Sequence, residues 1–132
     1  MSDTLNVNRG KLRLIRDDIT LLKVDSFVYY ASHDLILGSG FGGAISVRGG
    51  PSIQEELKDI GPLETTDVYI SGAGDLEANY IIHAVGPRFQ EESLNKKLEQ
   101  TIANTLHAAE EKGIKSIAFP PMGAGFYGVP LD

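Results

Sequence analysis

Two glycine-rich stretches hold most of the residues in this sequence that could bind a ligand. The later one, Gly123–Gly128, follows the apolar run Ile117–Phe119 and the prolines Pro120 and Pro121. Glycine lets another molecule lie against the backbone, and consecutive N–H groups in such a loop form a nest for an anion. Its two aromatic residues could pack against a sugar or a base. A tight turn whose aromatic rings fill the core explains the pattern equally well, so both interpretations stay open.

The earlier stretch, Gly38–Gly43, lies between the apolar run Phe27–Ala31 and the short helical run Ala44–Arg48. A continuous apolar run indicates a strand buried on both faces, as in a parallel sheet. Ligands of α/β proteins bind where such strands end. Much glycine is only turn chemistry, but two such loops in one small domain are more specific than either alone. Together they predict an anion-binding site.

Strands alternate with helices along the chain, which predicts an α/β protein with a mixed or mostly parallel sheet. Residues 1–10 are polar and are expected to form a flexible N-terminus, so that residues 11–132 make up a single domain. The predicted strands are Lys11–Ile15, Phe27–Ala31, Val68–Ser71, Tyr80–Val85 and Ile114–Phe119. Two short helices are predicted, Ala44–Arg48 and a helix from Ser52 to about Ile60 in which Ser52 and Glu55 have capping-box spacing. A long helix is predicted to be capped by Ser93 and closed by Lys112 and Gly113. Its apolar stripe is Leu94, Leu98, Ile102, Leu106 and Ala109.

Composition argues against several classes of protein. The net charge of −6 argues against a protein that coats nucleic acid, and the absence of cysteine leaves no disulfide and no thiolate metal site. No stretch is apolar and long enough for a membrane span, and a signal-peptide pattern is missing, so a cytoplasmic location is predicted. His33, His83 and His107 share no metal-ligand spacing, and neither a metal nor a cofactor is predicted.

Several motifs, in order along the chain, resemble those of the macrodomain family, the ADP-ribose-binding module. Asp17–Thr20 resembles the family's Gly-Asp-Ile-Thr, Val24–Val28 its Val-Asp-Ala-Ile-Val, and Ile82–Pro87 its His-Ala-Val-Gly-Pro. The two glycine stretches resemble its two glycine loops. Each match is weak alone, but all of them in the family's order make a strong resemblance. It implies a three-layer α/β/α fold with a mixed sheet between helices.

The resemblance also implies a site for ADP-ribose or a related nucleotide diphosphate. Asp18 would accept a hydrogen bond from the adenine amino group, with the backbone of Ile19 beside it. Backbone amides of the two glycine loops would cradle the two phosphates, and Phe126 or Tyr127 would pack against the distal ribose. The implied ligand-binding residues are Asp18, Ile19, Ser32, Gly38, Ser39, Gly40, Phe41, Gly123, Ala124, Gly125, Phe126 and Tyr127.

One departure from the family pattern concerns catalysis. The family's usual Val-Asn-Ala-Ala-Asn is Val28–Ser32 here, so Ser32 replaces the second asparagine. The family's hydrolases pair that asparagine with an aspartate ten positions on, where this chain has Gly42. The resemblance therefore implies no efficient hydrolysis. Asp34 and His33 are weak catalytic candidates, against the alternatives of an aspartate that makes local backbone bonds and a solvated histidine.

Tyr29 and Tyr30 also depart from the family pattern. Adjacent strand residues point to opposite faces of a sheet, so one ring is expected in the core and the other against the opposite layer or in the cleft. Family members normally continue past the position of Asp132. A domain that lacks these C-terminal elements is expected to expose apolar surface and an unpaired strand edge. Either the chain is a shortened product or another subunit supplies the cover, and a homo-oligomer is predicted.

Three functions therefore stay open. The first is binding of ADP-ribose or a related nucleotide without efficient hydrolysis, which the two glycine loops and Asp18 favour. The second is an ADP-ribosyl hydrolase or related phosphoesterase that uses Asp34, His33 or bound water. The third is a degenerate macrodomain that serves as an oligomerisation or interaction module, with its pocket filled by Tyr29 or Tyr30. Neither a membrane nor direct nucleic-acid binding is expected.

Overall fold

A mixed β-sheet lies between two layers of helices. The computed structural model describes residues 2–7, 10–15, 19–38, 40–88 and 91–120, with side chains described from residue 19 onward. The strands are β1 (Ser2–Val7), β2 (Gly10–Ile15), β3 (Ser26–Tyr30), β4 (Val68–Gly72), β5 (Tyr80–Ala84) and β6 (Ile117–Ala118). The helices are α1 (Gly40–Gly49), α2 (Ser52–Leu57) and α3 (Leu94–Lys112), and a 3₁₀ turn at Ile19–Leu21 precedes β3.

The central sheet has the strand order β4-β5-β3-β6. β3 runs parallel to both β5 and β6, and β4 is antiparallel to β5. Ser26 lies opposite Tyr80 and Ile117, so the three parallel strands begin at the same level. Their carboxyl ends therefore share one edge of the sheet, which is the edge where open α/β sheets bind ligands.

Two apolar cores, one on each face of the sheet, hold the layers together. On one face, fully buried Phe27 and Ile81 pack against Ile45 of α1 and Ile53 of α2. On the other face, Val28, Ile82 and Ala84 pack against Ala109 of α3. Neighbouring residues of β3 and of β5 thus alternate between the two cores, as a pleated strand requires. This arrangement confirms the predicted three-layer α/β/α fold.

Asp25 joins the amino ends of the parallel strands. Its Oδ2 accepts hydrogen bonds from the N–H groups of Lys115 (2.7 Å) and Ser116 (3.3 Å), and its own N–H donates to Ser116 Oγ at 2.7 Å. Its carbonyl oxygen accepts from the N–H of Tyr80 at 2.9 Å. The aspartate of the Val-Asp-Ser motif therefore has a structural role at the edge opposite the glycine turn that follows β3.

The start of the chain differs from the prediction. Residues 1–10 were expected to be flexible, and a strand was predicted only from Lys11. In the structure Ser2–Val7 forms a strand paired antiparallel with Gly10–Ile15, which the prediction did not include. Leu5 and Val7 alternate with polar residues, which is a strand pattern of period two. The strand next to it in sequence supplies the backbone partners that a polar composition alone does not reveal.

The helix ends also differ from the prediction. α2 stops at Leu57 instead of Ile60, and Pro51, not Ser52, occupies its N-cap position. Ser93 is the N-cap residue of α3, but its backbone is left-handed (φ 58°) and its side chain makes no capping hydrogen bond. Capping by a side-chain oxygen normally needs an extended backbone at this position, so the backbone of Ser93 explains the missing bond.

The buried face of α3 is more polar than the predicted apolar stripe. Thr101, Thr105 and Ala109 form the buried line, whereas Leu106 is 48% exposed. Each threonine hydroxyl donates to a carbonyl oxygen one turn earlier, at 2.7 Å to Lys97 and 2.8 Å to Thr101. Because these hydrogen bonds satisfy the hydroxyl groups, threonine can be buried against the sheet.

Candidate functional site

The turn that follows β3 is open on the side of its glycines. Gly38 and Gly40 have φ angles of +64° and +62°, a conformation that side chains other than glycine rarely adopt. A Cβ atom built on either residue would meet no atom of the described part of the chain within 4 Å. Both the backbone conformation and the free space therefore suit a backbone that a ligand approaches closely.

Helix α1 begins inside this glycine stretch, at Gly40, and not at Ala44 as predicted. The first four N–H groups of an α-helix have no acceptor within the helix, and here they belong to residues 40–43. These groups and the helix dipole favour an anion at this end of the helix. The loop and the helix start together can bind a phosphate through neutral amides.

The residue before the glycine turn is held by two side chains. Tyr29 Oη donates a hydrogen bond to the carbonyl oxygen of Leu37 at 3.2 Å. The N–H of Leu37 donates to Gln54 Oε1 at 2.9 Å, and Gln54 Nε2 donates to the carbonyl oxygen of Leu35 at 3.1 Å. Leu35 and Leu37 are both buried. Strand β3 and helix α2 thus both fix the segment that leads into the turn.

An aromatic cluster lies beside the turn. The ring of Phe41 stacks on Phe27 with centroids 5.9 Å apart and meets the ring of Tyr29 edge-on at 5.3 Å. Phe41 therefore packs its ring against the core, where it is partly buried. Tyr29 packs in the core on the α1–α2 face, whereas the hydroxyl of Tyr30 donates to the carbonyl oxygen of Pro87.

Ser32 and Asp34 form a local hydrogen-bonded pair in the same loop. Ser32 Oγ donates to Asp34 Oδ1 at 2.6 Å, and the N–H of Ile36 donates to the same oxygen at 3.1 Å. These two hydrogen bonds, the serine bond first, hold the pKa of the Asp34 carboxyl below its usual range. The carboxylate therefore caps its own loop, which corresponds to the local bonding considered from the sequence.

His33 connects this loop to the segment before β4. Its Nδ1 lies 2.9 Å from the carbonyl oxygen of Leu63, so this nitrogen carries the proton and donates. The carbonyl oxygen of His33 in turn accepts from the N–H of Leu63 at 2.9 Å. Nε2 lies 3.4 Å from Thr65 Oγ1. His33 is half-buried and links two loops, in addition to whatever contact its ring makes with solvent.

His83 is a core histidine, as predicted. It is fully buried on β5, its Nε2 lies 2.8 Å from Ser71 Oγ, and its ring meets Tyr29 edge-on at 5.9 Å. The Ser71 hydroxyl lies 2.9 Å from the carbonyl oxygen of Gly72, to which it can donate while it accepts from His83. Burial lowers the pKa of His83 to about 4, so the ring is neutral at physiological pH.

The 3₁₀ turn at Ile19–Leu21 is the described part of the implied adenine end of the site. Arg48, near the end of α1, donates from its guanidinium to Thr20 Oγ1. Ile19 packs partly buried against the core below α1. Among the predicted residues, Ser32 and Gly38 lie in the loop after β3, and Gly40 and Phe41 form the start of α1. Ile19 lies in the turn that Arg48 of α1 contacts through Thr20.

β6 lies beside β3, and Ala118 is opposite Phe27 in their register. The described chain continues past β6 as far as Pro120. Seven predicted ligand-binding residues lie outside the described residues and stay predictions: Asp18, Ser39, Gly123, Ala124, Gly125, Phe126 and Tyr127.

Among the described residues, no group of three His, Cys, Asp or Glu side chains could hold a metal ion. None of the helices in these ranges is long and apolar enough to cross a bilayer. Gln54 is the residue near the site that the sequence did not indicate. The sequence places Gln54 only within a predicted helix start. Its partners in the loop, Leu37 and Leu35, are 17 and 19 positions away along the chain.

Comparison with known proteins identifies the family. The family model described as Macro domain matches residues 29–132, which is well over half of the chain. The chain belongs to the macrodomain family. A macro domain-containing protein of Caldanaerobacter subterraneus subsp. tengcongensis is 41% identical over 130 residues, covering 94% of this macrodomain and 74% of the relative.

One further relative and one solved structure have ADP-ribose or a derivative of it in the name or title. An O-acetyl-ADP-ribose deacetylase 1 of Pantoea vagans is 36% identical, covering 92% of this macrodomain and 75% of the relative. A mutant macrodomain of Oceanobacillus iheyensis with ADPR matches with a TM-score of 0.91 at 29% identity, covering 98% of this macrodomain and 75% of that chain. The fold is therefore that of proteins whose names or titles connect them with ADP-ribose and its derivatives.

Proposed function

We propose that this macrodomain binds ADP-ribose or a related nucleotide diphosphate at the carboxyl edge of its sheet. The open turn at Gly38 and Gly40, which leads directly into the N-terminus of α1, is the observation that supports this most strongly. It offers backbone N–H groups without an adjacent side chain, which suits a diphosphate on a protein of net negative charge. The solved macrodomains of Oceanobacillus iheyensis with ADPR and with ADP support the same ligand class.

The remaining contacts are carried over from the family resemblance. In this proposal Asp18 and Ile19 bind the adenine, and Gly123–Phe126 completes the phosphate cradle. Tyr127 or Phe126 packs against the distal ribose, and Ser32 lies near it.

The proposal includes inefficient hydrolysis. A Cβ atom at Gly42 would overlap the carbonyl oxygen of Leu37 and the hydroxyl of Tyr29, so the position of the hydrolases' aspartate has no room for a side chain. Asp34, the nearest alternative in sequence, already accepts hydrogen bonds from Ser32 and Ile36. A general base needs an oxygen that can reach the attacking water, and this local bonding works against such a role.

Calorimetric titration with ADP-ribose tests the proposal, with Gly38→Ala compared with Gly113→Ala. Both glycines have positive φ and open space around the missing Cβ, so both substitutions carry a similar backbone strain, about 1–2 kcal/mol. Gly113 ends α3 beside the amino edge of the sheet, far from the loop. We expect the wild type and Gly113→Ala to bind, and Gly38→Ala to bind about tenfold more weakly or worse.

Two results would contradict this proposal. One is a folded wild-type protein that takes up no ADP-ribose at high ligand concentration. The other is an equal loss of affinity in Gly38→Ala and Gly113→Ala, which would trace the effect to general strain and not to the glycine turn.

Hydrolysis is the second candidate, because a relative carries the name O-acetyl-ADP-ribose deacetylase 1. Incubation with O-acetyl-ADP-ribose distinguishes the two candidates. We expect turnover no faster than in buffer. Turnover by the wild type that is lost in Asp34→Asn, with ADP-ribose binding retained, would instead assign the chain an esterase activity that depends on Asp34.

One observation argues against the third function, a degenerate macrodomain that serves as an interaction module. Tyr29, one of the two residues considered as a plug for the pocket, packs in the core below the loop. Failure to bind any nucleotide, combined with a tight assembly, would favour that third function. Cytoplasmic location and homo-oligomeric assembly stay predictions from the sequence.

A further inference from the structure

We propose that Tyr29 and Gln54 are positioning residues of the ligand site, which hold the peptide groups of Leu37 and so set the glycine turn that follows. The inference rests on the proposed function, because it concerns the same loop. Neither residue is proposed to touch the ligand. Each acts through the backbone of residues 35–37, directly before Gly38.

Leu37 has both backbone polar groups bonded to side chains. Its carbonyl oxygen accepts from Tyr29 Oη and its N–H donates to Gln54 Oε1, while Leu37 itself is only 3% exposed. A buried peptide group without a partner costs about 1–3 kcal/mol, so the two side chains supply hydrogen bonds that a helix or a strand supplies elsewhere. The conformation of this segment therefore depends on residues from two other elements.

Gln54 holds a second peptide group of the same segment. Its Nε2 donates to the carbonyl oxygen of Leu35, a residue with a φ of 59° that is otherwise unfavourable for leucine. One amide side chain thus bridges Leu35 and Leu37, accepting from one and donating to the other. Because the bridge comes from α2, it also fixes the distance between α2 and the loop.

Tyr29 contacts the chain on both sides of the glycine turn. Its hydroxyl bonds to Leu37 before the turn, and its ring packs edge-on against Phe41 after it, with centroids 5.3 Å apart. Its hydroxyl also lies only 2.5 Å from the position that a Cβ atom at Gly42 would take. The position of the first turn of α1 is therefore set against the same tyrosine that orients Leu37, which couples the turn to the helix N-terminus.

A purely structural role predicts a different result from a positioning role, and two matched variants separate them. The hydroxyl of Tyr69 on β4 donates to Glu56 Oε2 at 2.8 Å. Glu56 on α2 accepts in addition from the N–H of Gly72 at 3.0 Å. Tyr69→Phe is the control for Tyr29→Phe, because both remove a tyrosine hydroxyl. Glu56→Ala is the control for Gln54→Ala, because both remove an α2 side chain that bridges two groups. The two control residues make their contacts at β4, the outer strand of the sheet.

The first readout is amide hydrogen exchange at Leu37, followed by NMR in the absence of ligand. We expect Gln54→Ala to speed exchange of this amide about tenfold or more, because its acceptor is lost. Glu56→Ala should leave it near the wild-type rate. Exchange at Leu37 that is equal in the two variants would show that Gln54 does not hold the loop, and it would overturn the proposal.

The second readout is the affinity for ADP-ribose, by calorimetry, alongside the melting temperature. We expect Tyr29→Phe and Gln54→Ala to bind about fivefold or more weakly than Tyr69→Phe and Glu56→Ala at comparable melting temperatures. Equal affinities in a binding-competent protein would overturn the positioning role. A wild type that binds no ADP-ribose would contradict the proposed function instead, and hydrogen exchange at Leu37 would then decide whether Gln54 holds the loop.

Discussion

The departures from the family pattern complement one another at the level of single residues. Tyr29 replaces an asparagine and Gly42 replaces an aspartate, and the tyrosine hydroxyl lies where a side chain at Gly42 would need to be. Neither change is independent of the other, because a larger residue at position 42 would displace the tyrosine or the carbonyl oxygen of Leu37. At Gly42, where the resemblance to the family's hydrolases implies a carboxylate, the Leu37 carbonyl oxygen and the Tyr29 hydroxyl take up the space of a side chain.

His83 makes the stability of the protein depend on pH. Burial lowers its pKa from 6.5 to about 4, so between these values the unfolded chain binds a proton that the folded chain does not. The free energy of unfolding therefore decreases as the pH falls through this window, and His83 contributes no further change below it. As the pH falls through this window, we expect the unfolding free energy of the wild type to decrease by on the order of 3 kcal/mol more than that of His83→Phe.

Urea unfolding of both proteins from about pH 7 to about pH 4 measures this difference. His107→Gln is the control for removal of a histidine, because His107 lies exposed on α3. It removes an imidazole from the surface without opening a cavity in the core. Parallel pH dependences for the wild type and His83→Phe would mean that His83 is protonated alike in the folded and unfolded chains.

At the level of the elements, α1 shows how packing overrides a local pattern. The glycines at 40, 42 and 43 are poor helix formers, and the sequence predicted a helix only from Ala44. In the structure the helix starts at Gly40, because Phe41 packs on Phe27 and Tyr29 and so carries the first turn onto the core. The early start supplies the free amides of the candidate site.

Gly42→Ala tests this packing. In an ordinary helix interior this change would stabilise by about 1 kcal/mol. Here the new methyl group would overlap the Leu37 carbonyl oxygen and the Tyr29 hydroxyl, so we expect a decrease in unfolding free energy of about 1–3 kcal/mol. Urea unfolding measures it, with Gly43→Ala as the neighbouring control, where the Cβ would meet only the carbonyl oxygen of Gly38, at 3.3 Å.

A stabilising Gly42→Ala, or equal effects of the two alanines, would contradict this account of the first turn. The result also bears on function. A position that rejects a methyl group cannot take up the longer side chain of aspartate without movement of the loop.

At the level of the whole molecule, the parallel pairing of β3 with β5 and β6 directs the carboxyl ends of three strands to one edge of the sheet. Asp25 aligns the opposite ends of the same strands. The register of the parallel strands is thus held at the edge opposite the glycine turn that follows β3.

Homo-oligomeric assembly is a prediction at this level. Size-exclusion chromatography with light scattering measures the mass directly, and we expect a multiple of the 14.2 kDa chain. A mass that stays monomeric over the accessible concentration range would contradict it. Adding ADP-ribose during the same measurement would show whether assembly and binding are linked.

Local patterns in the sequence were sufficient for much of the fold. Strands β3 and β5 were predicted from their apolar runs, and the glycine turn was predicted from the backbone freedom of glycine. Both kinds of signal depend only on neighbouring residues. The order of the motifs was enough to indicate the macrodomain family. The placement of His83 in the core also followed from the apolar strand around it.

Tertiary structure alone decided the details of the candidate site. The partners of Leu37 lie 8 and 17 positions away and meet only after β3 and α2 pack on the loop. The burial of Thr101 and Thr105, the link from His33 to Leu63 and the early start of α1 have the same origin. Each depends on which hydrogen-bond partners and packing surfaces lie nearby in space, and a local pattern does not contain that information.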